Sequence, residues 1–74
     1  MARLPVISGV QFVRAMERAG YYWEHTQGSH MILVHPGRRR LSVPKQRELG
    51  SGLLTALIRD AGLTREEFFR LLKE

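Results

Sequence analysis

The chain has no cysteine, which excludes a disulfide frame and a thiolate metal site and removes the usual staples of a small secreted scaffold. A reducing, cytoplasmic setting fits that composition. No apolar run approaches the roughly 20 residues of a membrane helix, and the opening, Met1 to Ile7, is too short and too soon broken by Pro5 to read as a secretory signal. Acidic residues are missing from one interval in particular: none lies between His25 and Arg47. With 74 residues the chain is read as one domain, residues 1–74, with little apolar core to spare.

What is present is basic. The net charge is +5 and the pI about 10.8, which favours a polyanion or an acidic protein as partner. Arg38, Arg39, Arg40, Lys45 and Arg47 crowd the acid-free interval, while Glu17, Glu24, Glu48, Asp60, Glu66, Glu67 and Glu74 lie outside it. The charge is thus segregated along the chain, and the basic interval points to an anionic ligand.

Local signals give the element order. Ser8 with Gln11 forms a capping box, and Ile7 with Phe12 a hydrophobic staple, for a helix over roughly 8–19 whose apolar stripe is Phe12, Val13, Met16 and Ala19 and whose stop is Gly20. Tyr21 to Thr26 predicts a strand with Tyr21 and Trp23 on one face and Tyr22 and Glu24 on the other. Gln27-Gly28-Ser29 is too short for a crossover, so the next strand, His30 to His35, pairs antiparallel with it. Pro36-Gly37 with the three arginines predicts a second turn, and Leu41-Ser42-Val43, ended by Pro44, a third strand. Ser51-Gly52 opens a helix carrying Leu54, Leu57, Ile58 and Ala61 and closed by Gly62, and Thr64 with Glu67 caps a last one. The expectation is an α+β domain in the order α-β-β-β-α-α, a three-stranded antiparallel sheet with its apolar face covered by helices.

Of three histidines, His25 and His35 belong to strands and are read as structural. No His-x-x-x-His or cysteine pattern supports a metal site, so none is expected. His30 differs because Gly28-Ser29 fixes it at the mouth of a turn beside the basic segment. An imidazole titrating near neutrality can take a proton from a ribose 2′-hydroxyl or give one to a leaving 5′-oxygen, and nearby arginine or lysine can stabilise the phosphorane charge. That chemistry works on RNA and fails on DNA. Arg38, Arg39 and Arg40, with Lys45 and Arg47, would grip phosphates, and Tyr22 on the open face would stack a base. Two other readings use the same residues: a non-catalytic RNA-binding module, and a helix-turn-helix DNA-binding regulator built on Ala61-Gly62-Leu63-Thr64, which Glu66 and Glu67 at the start of the second helix disfavour.

Taken as an ordered set, Gly20-Tyr21, Gly28-Ser29-His30, His35-Pro36, Val43-Pro44, Glu48-Leu49, Gly52 and Leu57-Ile58-Arg59-Asp60-Ala61-Gly62-Leu63 resemble the HicA toxin family, small messenger-RNA interferases of type II toxin–antitoxin systems. The resemblance implies a fold similar to a double-stranded RNA-binding domain, His30 as the catalytic histidine presented by Gly28 and Ser29, messenger RNA as substrate, a HicB-like antitoxin as partner, and no metal or cofactor. The chain departs from the family pattern at Gln46, where a histidine is frequent, and at Leu53, where a threonine is.

Overall fold

The computed structural model describes residues 3–74; Met1 and Ala2, where the reading of the amino terminus begins, lie outside the described residues. The elements run α1 (Gly9–Arg18), β1 (Tyr22–Gln27), β2 (His30–His35), β3 (Arg38–Pro44), α2 (Ser51–Asp60) and α3 (Arg65–Lys73). The strands form one antiparallel sheet in the order β1-β2-β3, and the helices cover one face of it. The α-β-β-β-α-α order and the α+β class are those expected.

The helix starts follow from their first turns. Ser8 accepts from the Gln11 N–H at 3.1 Å while the Gln11 side chain accepts from the Ser8 N–H at 2.8 Å, so two N–H groups without intrahelical partners are satisfied at once. Thr64 and Glu67 repeat the device on α3. The ionised Glu67 carboxylate accepts the Thr64 backbone N–H and is bonded to its hydroxyl partner, which holds it below the usual glutamate range. Helix α2 has Gly50 as its N-cap with no side-chain bond. Two helix C-termini are instead served by distant arginines. Arg18 Nη1 donates to Leu71 O of α3 at 2.7 Å, and Arg38 Nη1 to Ala61 O, just past α2, at 2.8 Å, each a cation placed where carbonyls lack partners.

The core lies between the helices and the sheet. Phe12, Met16, Leu33, Leu41, Val43, Leu54 and Phe68 are fully buried or nearly so, and the rings of Phe12 and Phe68 stand 5.7 Å apart, joining α1 to α3. Burial of side chains this size stabilises the fold by about 1.5–3 kcal/mol each. From β2 and β3 the inward residues are Met31, Leu33, Leu41 and Val43, and the register places Met31 opposite Val43 and Leu33 opposite Leu41. Alternation sends His30, Ile32 and Val34 to the open face, with Ser42 opposite Ile32.

Three local expectations are corrected or refined. First, the arginines are not a turn: β3 begins at Arg38, and the turn is Pro36-Gly37 alone. The register slips between Leu33 and His35, so one extra residue bulges from β3 among the arginines. Without that bulge a two-residue turn would set Val43 opposite His30 and rotate Leu41 and Val43 out of the core. Second, Tyr21 and Trp23 face the same way, Trp23 lying opposite the inward Leu33, but only Tyr21 is covered. Tyr21 is buried ahead of β1, whereas all six residues of β1 are exposed, Trp23 to 54%. As an edge strand β1 extends beyond the helical cover, and a second bulge between Trp23 and His25 shifts the phase of the residues after it. Third, the charge segregation is a property of the sequence and not of the surface. Glu24 Oε1 lies 2.7 Å from Arg40 Nη2, and Asp60 Oδ1 lies 3.8 Å from Arg39 Nη1.

Candidate functional site

His30 opens β2 directly after the Gly28-Ser29 turn. Gly28 has φ +62° and Ser29 does not have positive φ, the combination of a type II′ hairpin turn, which needs glycine first. The turn is tied down from a third strand: the Lys45 N–H donates to Ser29 O at 2.7 Å. That bond continues the β2–β3 ladder past Pro44, which lies opposite His30 and has no N–H to give. The Gly9 N–H then donates to Gln46 O at 2.9 Å, so the start of α1, the exit of β3 and the turn are linked in sequence. His30 is exposed on a backbone held by every neighbour.

Its imidazole has one side-chain partner. Ser42 Oγ is 3.3 Å from His30 Nδ1, which leaves Nε2 without a protein partner among the described residues. Around this pair the open face carries Ile32 between Ser42 and His25 of the neighbouring strands, Tyr22 opposite Val34, and Arg40 paired with Glu24. Tyr22 is 58% exposed, an aromatic face presented to solvent. Glu24 also lies 3.2 Å from His25 Nδ1; His25 is thus an exposed member of a surface charge group and not a packed residue.

The basic residues divide. Lys45 and Arg47 are exposed just beyond β3, and Arg47 lines an open depression with Gln46 and Glu48. Arg39 and Arg40 are exposed in β3, each within reach of one carboxylate. Arg38 is drawn to the other layer, bonded to Ala61 O and, at 3.3 Å, to Gly62 O. His30 and the cations Arg40, Lys45 and Arg47 therefore belong to the sheet and its exit, while Arg38 serves the end of α2.

His35, at the far end of β2, is held at both ring nitrogens: the Gly37 N–H donates to Nδ1 at 2.9 Å, so Nε2 carries the proton and donates to Ala19 O at 3.2 Å. Its ring stands edge-on to Tyr21 at 5.0 Å. The three histidines do not converge, and among the described residues no group of three or more His, Asp or Glu side chains is placed to hold a metal ion. Nor does any helix of the described residues have the length and apolarity to cross a membrane.

Ser42 is the residue that sequence reasoning missed. The signal was nevertheless there: Leu41 and Val43 must face the same way as Met31 and Leu33, and the register that achieves this sets Ser42 on the face of His30, one position along.

No curated protein matches the chain significantly. The model of a family described as the HicA toxin of bacterial toxin–antitoxin systems matches residues 9–63 of the 74, a span from the first residue of α1 to the residue before the cap of α3 that includes the turn, His30, Ser42 and the whole sheet. Toxins of this family are generally ribonucleases and are paired with an antitoxin, and by this match the chain belongs to the HicA toxin family.

Proposed function

We propose that this toxin cuts messenger RNA in the cytoplasm without a metal ion, using His30 as general base and general acid. The observation that carries the reading is the state of the His30 ring: exposed on a rigid turn, engaged at Nδ1 and unengaged at Nε2. In the reaction Nε2 takes the proton of a ribose 2′-hydroxyl, O2′ bonds to phosphorus, the bond from phosphorus to O5′ breaks, and the imidazolium returns the proton to O5′. The products are a 2′,3′-cyclic phosphate and a 5′-hydroxyl, and the histidine is regenerated. Gln46 has no proton to exchange in this way, so both transfers rest on one group.

Lys45, Arg47, Arg39 and Arg40 hold the phosphates on either side, and Gly28 and Ser29 present the ring. The pairs of Arg39 with Asp60 and Arg40 with Glu24 are exposed, and such pairs are worth about 0–1 kcal/mol. Exchanging a carboxylate for an RNA phosphate is thus inexpensive. Arg38 bonds two backbone carbonyls and is left to the fold. Tyr22 supplies a stacking surface. A HicB-like antitoxin, an acidic protein covering the same face, would block His30 and compete with RNA for the cations.

The test is to incubate the protein and its His30→Ala variant with a long unstructured RNA in excess EDTA and separate the products. Cleavage by the parent alone, with cyclic-phosphate ends, is expected. Equal cleavage by the variant removes His30 from the mechanism. Binding of RNA by both proteins with cleavage by neither would replace this reading with a non-catalytic RNA-binding module.

A further inference from the structure

We infer that Ser42 is the positioning residue for His30, holding the ring at Nδ1 so that Nε2 faces outward, free for proton transfer; the inference rests on the proposed role of His30 in RNA cleavage. Ser42 lies opposite Ile32 and His30 opposite Pro44, so the two side chains are diagonal neighbours on the open face, within mutual reach. Their separation, 3.3 Å from Oγ to Nδ1, is a hydrogen-bonding distance, and among the described residues neither side chain has another side-chain partner. The bulge in β3 creates the juxtaposition: with the unbulged register Ser42 would face the helices.

A hydroxyl both donates and accepts, and this suits a ring asked to change its protonation. When Nδ1 carries hydrogen it donates to Ser42 Oγ, and Nε2 presents a lone pair to the 2′-hydroxyl. After proton uptake both ring nitrogens carry hydrogen and the Nδ1–H···Oγ bond persists, so the ring does not turn as its charge changes. A carboxylate in the place of Ser42 would hold the ring as firmly but would put a negative charge against the phosphate and favour the imidazolium before reaction. A neutral acceptor avoids both. His35 provides the contrast within the same strand: two backbone groups fix it in a single tautomer, with the proton on Nε2.

The experiment uses the full chain, uniformly labelled with nitrogen-15, as parent, Ser42→Ala and Ser42→Thr. The imidazole nitrogen shifts of His30 are read at a pH where the ring is neutral, and RNA cleavage is measured on the same samples. In the parent the Nδ1 shift should carry the mark of a hydrogen bond and differ from that of free histidine; Ser42→Ala should return it toward the free value; Ser42→Thr, which keeps the hydroxyl and favours a strand, should resemble the parent. Cleavage should fall about tenfold in kcat for Ser42→Ala, which corresponds to about 1.4 kcal/mol, with KM unchanged, and should be restored in Ser42→Thr.

Nδ1 shifts that are the same in parent and Ser42→Ala overturn the inference whatever the cleavage result. Altered shifts with undiminished cleavage overturn the positioning role. Altered shifts in a protein whose parent cuts no RNA would leave the pairing of His30 with Ser42 established and overturn the nuclease reading instead.

Discussion

His30 and His35 stand at the two ends of one strand, and their circumstances are opposite. The alternation of β2 sends His30 to the open face and His35 toward the helices. His30 meets one hydroxyl and solvent, whereas His35 is bonded at both nitrogens to backbone groups and lies against Tyr21. The difference teaches how one residue type divides between an open face and the fold. A ring with both nitrogens spent on the fold has no proton to trade, while a ring with one nitrogen spent is oriented and still has one to trade.

Exchanging the residues one at a time separates the two ends of β2. The largest effect is expected for His30→Ala, which should lower RNA cleavage by about 10²–10⁴-fold while changing unfolding free energy by no more than about 0.5 kcal/mol, as read by gel and by urea titration. His35→Ala should do the reverse. It should cost about 1–3 kcal/mol of stability through two lost hydrogen bonds and an unfilled place beside Tyr21, and its folded fraction should cleave at the parent rate.

A smaller effect is expected one step removed from His35. Gly20 has φ +96°, and a Cβ there would stand 3.0 Å from His35 Nε2, so Gly20→Ala should cost about 1–2 kcal/mol. Its thermal midpoint should fall while the His30 nitrogen shifts stay unchanged. The smallest is Tyr21→Phe, which removes the bond from the phenol to Arg39 O at 2.7 Å at a cost of about 0.5–1.5 kcal/mol. Burial raises the Tyr21 phenol above its usual value of 10.0, with Arg38 opposing and Asp60 adding to the shift. Because the folded state favours the neutral phenol, stability is intact below that value and declines as pH rises through it toward the raised one. Tyr21→Phe should flatten this alkaline decline in a pH series of unfolding curves.

Much of this was legible in the sequence, and the parts that were share a cause. Ser8 with Gln11, Thr64 with Glu67, and the glycine of the first hairpin act within four residues of themselves, so their outcome is written locally. The turn before His30 belongs to that group, since Gly28 supplies the positive φ it requires. The strand state of the arginines does not belong to it. Arg38 to Arg40 look like a solvated turn by composition, but pairing with β2 extends β3 over them, and a bulge absorbs the mismatch between a short turn and the phase of Leu41 and Val43. The same long-range adjustment brought Ser42 to His30. Glu24 and Asp60 show the corresponding limit for charge: a stretch without acids in the chain acquires two from elsewhere in space.

The central place of β2 has a consequence in time. A strand hydrogen-bonded along both edges gives up its amide protons when the sheet opens as a unit, while strands bonded along one edge exchange by fraying. The imidazole of His30 is thus carried at the start of the strand held from both sides, and exposed cations of the sheet reorient within picoseconds to nanoseconds, as surface side chains do. An arriving strand of RNA would meet a stationary ring amid charges that rearrange many times during a single encounter.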